Sequence, residues 1–156
     1  MRLEIGAVMG LGALLATSGG AWAQDHCATL TVQGTSLSGF AGARAEALKS
    51  NSNTICDMWS KDRKSNLTLI VEPPRAASGM AMRRMLAANA NEPGMTVKDE
   101  PALGASAFSF VRREQLSFTG AGKGGVYTLS LNRDAGIVPG DEDRVRAITK
   151  QIVEGR

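Results

Sequence analysis

The sequence predicts an α+β domain in which amphipathic helices cover a single antiparallel sheet. Three consecutive segments, 105–112, 114–119 and 126–132, alternate apolar and polar residues, which is the pattern of half-buried strands. Two others, 76–91 and 141–154, repeat apolar residues at the helical period of 3.6. Because each helix has an apolar stripe to bury, we expect the helices to lie on the sheet.

The first half of the chain adds one helix and three strands. Residues 28–33 (ATLTVQ) alternate leucine and valine with threonine, which predicts a short strand. Residues 37–49 have apolar residues at helical spacing after a serine cap, so a helix is expected there. Residues 54–60 and 66–72 are predicted to be the strands of a hairpin, and the two prolines that follow end this part of the sheet.

The helix predicted at 76–91 is expected to pack its methionines into the core. Its apolar residues fall on one broad face: Ala77, Ala81, Met82, Met85, Leu86 and Ala88. Met82 and Met85 lie together on that stripe, where methionine is an ordinary core filler. Met80, Met82 and Met85 also have the thioether spacing of an extracytoplasmic Cu(I) site. On a helix, however, Met80 and Met82 diverge by about 200°, so only an extended backbone would favour copper.

The last elements complete the predicted order β-α-β-β-α-β-β-β-α. The glycine-rich segment 120–125 (GAGKGG) is expected to be a flexible hairpin loop between the last two strands. The final helix, 141–154, begins with three acidic residues, which the positive end of a helix dipole favours. Its apolar stripe consists of Val145, Ile148 and Ile152, and Gly155 is placed to cap it.

The N-terminus has the three parts of a secretory signal peptide. Arg2 gives a positive start, residues 5–17 are apolar and uncharged, and a small-x-small triplet occupies positions 21–23. An apolar run of this length is shorter than the roughly 20 residues that a membrane-spanning helix needs. We therefore expect a signal peptide at 1–23 and one periplasmic or secreted domain at 24–156, without stable membrane insertion.

The charge pattern argues against nucleic acid as a partner. The net charge is +3, and it stays +3 when the signal peptide takes one basic and one acidic residue with it. Basic residues form short clusters, at 61–64, 83–84 and 112–113, rather than a stripe with interleaved aromatic residues. The expected partner is an envelope protein or another envelope component, and the positive charge adds a mild attraction to anionic surfaces.

The two cysteines, Cys27 and Cys56, are expected to form a disulfide. In an oxidising compartment two cysteines allow only one intramolecular pairing. Closing a loop of about 30 residues stabilises a fold by about 3.5 kcal/mol in the chain-entropy model. The alternative is a pair of reactive thiols, for which the CxxC motif is missing.

The order of the motifs resembles a known family. An early cysteine and a helix are followed by Cys56-Asp-Met-Trp59, a hairpin strand, an alanine-rich helix, the segment 101–108 (PALGASAF) and a terminal amphipathic helix. This series resembles the PsbP-like α/β sandwich of small exported bacterial proteins and lipoproteins. The resemblance covers most of the mature chain and implies that fold and an accessory or binding role. It carries over no catalytic residues, and the lipidation site of the lipoprotein members is missing here.

No group of residues predicts a reaction, a metal site or a cofactor. The segment 117–124 fails the phosphate-loop pattern, because a serine and a glycine stand where its first glycine and its hydroxyl residue are required. His26 is the single histidine of the chain, and one imidazole does not complete a metal site. Two acid pairs are assigned to a solvated surface and a helix N-terminus: Asp99/Glu100 and Asp141/Glu142.

Trp59 and Lys123 are the candidate interface residues. Trp59 lies opposite Cys56 in strand phase, so it is expected either to be exposed as an interface anchor or to cap the core beside the disulfide. Lys123 lies at the tip of the glycine-rich hairpin.

These observations favour an exported, non-catalytic accessory protein that binds a component of the cell envelope. One alternative is an inhibitor or immunity-type protein that plugs a periplasmic hydrolase with a protruding loop, either 120–125 or 93–104. Another is a small copper carrier that uses the methionines of the 76–91 helix.

Overall fold

Seven strands and three helices make up the described part of the chain, which a computed structural model gives for residues 19–48, 50–90 and 92–155. The strands are β1 (Ala45–Leu48), β2 (Thr54–Trp59), β3 (Ser65–Glu72), β4 (Thr96–Asp99), β5 (Phe108–Val111), β6 (Gln115–Gly122) and β7 (Gly125–Arg133). The α-helices are α1 (Gly19–Gly34), α2 (Met80–Asn89) and α3 (Asp141–Glu154), with 3-10 helices at Pro74–Gly79 and Pro101–Leu103.

The strands form one antiparallel sheet in the order β1-β2-β3-β7-β6-β5-β4. Two meanders, β1 to β3 and β4 to β7, are therefore joined through the pairing of β3 with β7. This confirms the α+β class and the single antiparallel sheet. The predicted element order is wrong in its first half, where the first element of the described residues is a helix rather than a strand, and it lacks β4.

Helices α1 and α3 cover one side of the sheet, which we call the helix face. Alternate residues of the strands point into this layer because side chains along a strand alternate between the two faces. The buried side chains include Leu67, Leu69, Leu116, Phe118, Leu129 and Leu131 from the strands, and Leu30, Val145, Ile148 and Ile152 from the helices. The disulfide between Cys27 and Cys56 is confirmed, and it joins α1 to β2.

The predicted strand at 28–33 is wrong, because these residues lie within α1. Leu30 is fully buried on the helix face, whereas Val32 is 70% exposed, so the apparent alternation does not correspond to two sheet faces. The hydroxyls of Thr29 and Thr31 donate to carbonyls four residues back, at 3.0 and 2.9 Å, which accommodates threonine in a helix. Part of the predicted signal peptide, residues 1–18, lies outside the described residues.

The helix predicted at 37–49 is also wrong. Turns replace most of it, and β1 follows. Gly39 and Gly42 adopt positive φ angles of 88° and 74°, which no right-handed helix contains. Leu37 and Phe40 are still buried, so the apolar spacing reflects two core anchors in a turn rather than a helix stripe.

The later elements follow the predictions more closely. The β2–β3 hairpin pairs as expected, and α3 has its predicted bounds, with Gly155 at its C-cap in the left-handed conformation (φ 72°). The glycine-rich segment is not a loop throughout, since β6 runs to Gly122 and leaves only two residues in the turn. Gly120 permits a close approach, because a Cβ atom there would lie 2.7 Å from the carbonyl oxygen of Leu103.

Two of the acids from the predicted acid pairs are buried and hold α3 to the sheet. Asp141, 1% exposed, accepts hydrogen bonds from Arg133 at 2.7 and 3.0 Å. Glu100, 6% exposed, accepts from the Ser109 hydroxyl at 2.8 Å and from Arg146 at 3.0 Å. The assignment of Glu100 to a solvated surface is therefore wrong, whereas Asp141 does lie at the N-terminus of α3, as expected, but is buried there.

Candidate binding surface

The side of the sheet opposite α1 and α3, which we call the second face, is largely polar along its centre. Hydroxyl pairs bridge β6 and β7, with Ser117 and Ser130 at 2.9 Å and Thr119 and Thr128 at 3.2 Å. These groups satisfy one another, so the centre of the second face is a stabilising ladder rather than a set of free ligand-binding groups.

A cleft lies at the β1–β2 corner of the second face, and we call it the Trp59 cleft. It has a volume of about 420 Å³. Its lining comes from the turn before β1, from β1 and β2, and from the loop after β2: Gly42, Arg44, Glu46, Leu48, Asp57, Trp59, Ser60, Lys61 and Arg63. Ligand sites commonly occupy about 300–1,000 Å³, so the cleft has room for a small ligand or one group of a larger one.

Trp59 is the aromatic group of this cleft. It is 41% exposed and is directly followed in sequence by the β2–β3 turn. The guanidinium carbon of Arg63 lies 5.7 Å from the centre of its ring, within the range of a cation–π contact. Trp59 does not cap the core beside the disulfide, because Cys56 is fully buried on the other side of the sheet. Its role in an interface stays a prediction.

The turn that carries Arg63 is held by its own hydrogen bonds. Ser60 donates its hydroxyl to Asp62 at 2.7 Å, and the backbone N–H of Lys64 donates to the same carboxylate at 3.1 Å. These bonds, with that of Ser60 first, lower the pKa of Asp62. Arg63 has a φ of 61°, a conformation that few residues other than glycine adopt. The turn therefore presents Lys61 and Arg63 beside Trp59 in a defined geometry.

The charged side chains that line the cleft are three cations, Arg44, Lys61 and Arg63, and two carboxylates, Glu46 and Asp57. Within the described residues, Arg44, Lys61 and Arg63 form no salt bridge. Asp57 is occupied by hydrogen bonds from the side chains of Asn66 at 3.2 Å and Thr68 at 2.6 Å. The cleft thus combines an exposed aromatic ring with three available cations, a combination suited to a ligand that has both a flat or apolar part and a negative charge.

The structure does not bring Lys123 to this cleft. Lys123 is exposed in the β6–β7 turn. Close to this turn, Val126 of β7 pairs with Glu72, at the C-terminal end of β3. Trp59 pairs with Asn66, near the opposite end of β3. At about 3.4 Å per residue, the two positions are separated by about 20 Å along the strands. They cannot form one small site.

The core packing predicted for Met82 and Met85 is wrong. Met80 is buried, at 1% exposure, but Met82 and Met85 are 56% and 46% exposed. The segment is helical from Met80 onward, so the extended backbone that would favour copper is not found. Among the described residues, no three histidine, cysteine, aspartate or glutamate side chains come together to hold a metal ion.

His26 packs against the core rather than lining the cleft. Its ring lies 5.8 Å from that of Tyr127, edge to face. Burial lowers the pKa of His26, and the nearby charge of Asp25 only partly opposes this effect. Burial of Tyr127 raises the pKa of its own hydroxyl.

No protein-family model, curated protein or solved structure matches this chain. The function must therefore be argued from the site itself.

Proposed function

We propose that this chain is an exported, non-catalytic accessory protein that binds a component of the cell envelope through the Trp59 cleft. The observation that carries the proposal is the exposed Trp59 ring, which Arg63 contacts and which Arg44 and Lys61 flank; within the described residues these cations form no ion pair. Large aromatic and arginine side chains supply much of the energy of binding surfaces. The signal-peptide pattern and the resemblance to PsbP-like proteins support an exported binding role.

The chemistry of the cleft favours an anionic ligand with an apolar or planar part. The three cations attract and orient a carboxylate or phosphate group, while the tryptophan ring buries apolar surface. A neutral ligand would leave these cations without partners. Anionic polymers and glycolipids of the envelope have this chemistry.

The inhibitor hypothesis is less well supported, because the segments proposed as protruding loops are structured. The first is strand and a two-residue turn, and the second contains β4 and a 3-10 helix. Neither is a long loop that would reach into the active site of a hydrolase.

Tryptophan fluorescence tests the proposal directly. If residues 1–23 are removed as expected, Trp59 is the single tryptophan, so a ligand in the cleft should change its emission. We expect solubilised envelope fractions containing anionic glycolipid or polymer to shift the emission of the wild type. Arg63→Gln should weaken the titration about tenfold or more, since it removes both the charge and the stacking group.

Val138→Ala is the matched control, because Val138 is 43% exposed and is not among the residues that line the cleft. It should titrate like the wild type. An Arg63→Gln variant with unchanged binding would remove the cleft from consideration, and a wild type that responds to no envelope fraction would overturn the proposed function.

A further inference from the structure

The orientation of α2 is reversed relative to an ordinary amphipathic surface helix. Its inward residues are Met80, Arg83 and Arg84, whereas Met82, Met85 and Leu86 point outward. Leu86 is 60% exposed, more than either of these methionines. We call Met82, Met85 and Leu86 the α2 outer face. A helix normally buries its apolar side, so this exposed face is a candidate docking surface.

Ion pairs fix this orientation. Arg83 donates two hydrogen bonds to the carboxylate of Glu72, one of them at 2.8 Å, and Arg84 donates two to Asp99, one of them at 2.9 Å. Glu72 and Asp99 lie on the second face of the sheet, on β3 and β4. Each arginine lowers the pKa of its partner carboxyl, and the hydrogen bond is the main cause. The helix is thus attached by its charged side, which leaves its apolar side outward.

The size of the α2 outer face argues against a second copy of the chain as its occupant. Each of the three side chains is about half exposed. Taking for each one half of the area that full burial of an apolar side chain removes from water, the three together offer on the order of 200 Å² of apolar surface. A stable protein interface needs about 800 Å² on each partner. A lipid surface has no such requirement, because each apolar side chain that enters the headgroup region adds its own contribution.

The charge around the face identifies the kind of surface. Residues 73–90 contain three arginines and no acidic residue. Arg75 is exposed and, within the described part of the chain, has no ion pair, while the side chains of Arg83 and Arg84 remain 40% and 41% exposed. Because Arg83 and Arg84 lie on the inward side and are paired with Glu72 and Asp99, Arg75 is the cation of this segment that is left to contact an anionic surface. Exposed apolar side chains beside an unpaired arginine fit a helix that lies on an anionic membrane.

We propose that the α2 outer face docks on an anionic lipid bilayer, with the helix lying in the plane of the surface. Met82, Met85 and Leu86 enter the headgroup region, and Arg75 contacts lipid phosphates. This is adsorption rather than insertion. None of the helices within residues 19–48, 50–90 and 92–155 has the length and apolar character that crossing a bilayer requires. The site is separate from the Trp59 cleft and does not depend on it.

Vesicle co-sedimentation tests the proposal, with the protein purified in the form that cells accumulate. Vesicles of phosphatidylglycerol and phosphatidylcholine are compared with vesicles of phosphatidylcholine alone. We expect binding to the anionic vesicles that weakens as salt rises, because salt screens charges at the surface. Met82→Ser/Met85→Ser/Leu86→Ser should lower the partition coefficient about tenfold or more, since it removes the apolar contribution.

Two further variants separate the causes. Val138→Ser is the matched control, because Val138 is 43% exposed and belongs neither to the α2 outer face nor to the Trp59 cleft, and it should bind vesicles like the wild type. Arg75→Gln should weaken binding only to the anionic vesicles, by about fivefold. All these side chains are exposed, and circular dichroism verifies that each variant is folded.

Two results would overturn the proposal. In the first, the vesicle assay shows no role for the face: either the wild type does not bind anionic vesicles, or the triple variant binds them as tightly as the wild type. In the second, sedimentation shows a wild-type dimer that the triple variant loses, which would assign the face to a second copy of the chain. Because the Trp59 cleft is unaltered in the triple variant, its fluorescence titration remains a separate test of the proposed function.

Discussion

Replacing Arg133 with methionine removes the cation that ties three parts of the fold together. Its guanidinium donates to Asp141 at 2.7 and 3.0 Å and to the carbonyl oxygen of Ser38 at 3.1 Å. It also lies 5.8 Å from the ring centre of Phe40. The side chains of Arg133 and Asp141 are only 9% and 1% exposed, so water cannot replace the lost contacts.

The expected loss is about 3–5 kcal/mol in the free energy of unfolding, because the variant leaves a buried carboxylate without its counter-charge. One hydrogen bond to Asp141 survives, from the backbone N–H of Val138 at 3.1 Å. Domains of this size are stable by about 5–15 kcal/mol, so the variant is expected to unfold at a much lower urea concentration.

Urea denaturation followed by circular dichroism measures this change. Arg144→Met is the matched control, because Arg144 is exposed on α3 and, in the described residues, has no ion pair; it should stay within about 0.5 kcal/mol of the wild type. Arg133→Met/Asp141→Leu should recover at least half of the loss, since no charge remains buried. A loss below about 1 kcal/mol for Arg133→Met alone would refute the reasoning.

Three other predictions follow from the packing. Cys27→Ser/Cys56→Ser should lower the free energy of unfolding, measured by urea denaturation, by about 3.6 kcal/mol, because the bridge closes a loop with a sequence separation of 29. A urea midpoint equal to that of the wild type under oxidising conditions would count against this prediction. Gly120→Ala should lower the free energy of unfolding by about 1–3 kcal/mol through its clash with Leu103 of the preceding 3-10 helix. Gly79→Ala should change the midpoint little, because its Cβ would lie 3.9 Å from Arg83 Nε, in ordinary van der Waals contact. The pKa of His26 is lower in the folded protein than in the unfolded chain, so as pH falls the unfolded chain binds a proton at this imidazole before the folded protein does. Stability should therefore fall as pH drops through about 6.5. Denaturation at pH 7.5 and 5.5 should show this fall in the wild type and a smaller one in His26→Gln.

The elements that could be predicted from the sequence are those whose pattern is local and complete. Helix α3 carries its acidic start, its apolar stripe and its glycine cap within one continuous segment, and all three signals agree. The β2–β3 hairpin was predictable for the same reason. The disulfide followed from having only two cysteines in the chain.

The elements that could not be predicted depend on contacts distant in sequence. Helix α1 was missed because its buried residues, including Cys27 and Leu30, continue a helix that begins before the expected cleavage point. The orientation of α2 depends on the carboxylates of Glu72 and Asp99, which come from two different strands. Sequence periodicity identifies an apolar stripe but does not tell which side of the helix the rest of the protein will hold.

The candidate site was predictable only in part. Strand phase placed Trp59 opposite the buried Cys56, and its exposure agrees with that phase. Arg63 could not be recognised, because its position over the ring depends on a left-handed turn. Arg44 lies in a segment that was expected to be helical, so its place beside the cleft came from the turn that replaces that helix.

The pairing of β3 with β7 has a consequence for how the chain folds. Each meander forms from neighbours in sequence, but the seam brings together residues such as Leu69 and Leu129, which are 60 positions apart. Closing so long a loop costs chain entropy before any contact rewards it. We therefore expect the formation of this seam to limit the folding rate. Substitutions at Leu69 or Leu129 should slow refolding, while those on the peripheral α2 should mainly change the rate of unfolding.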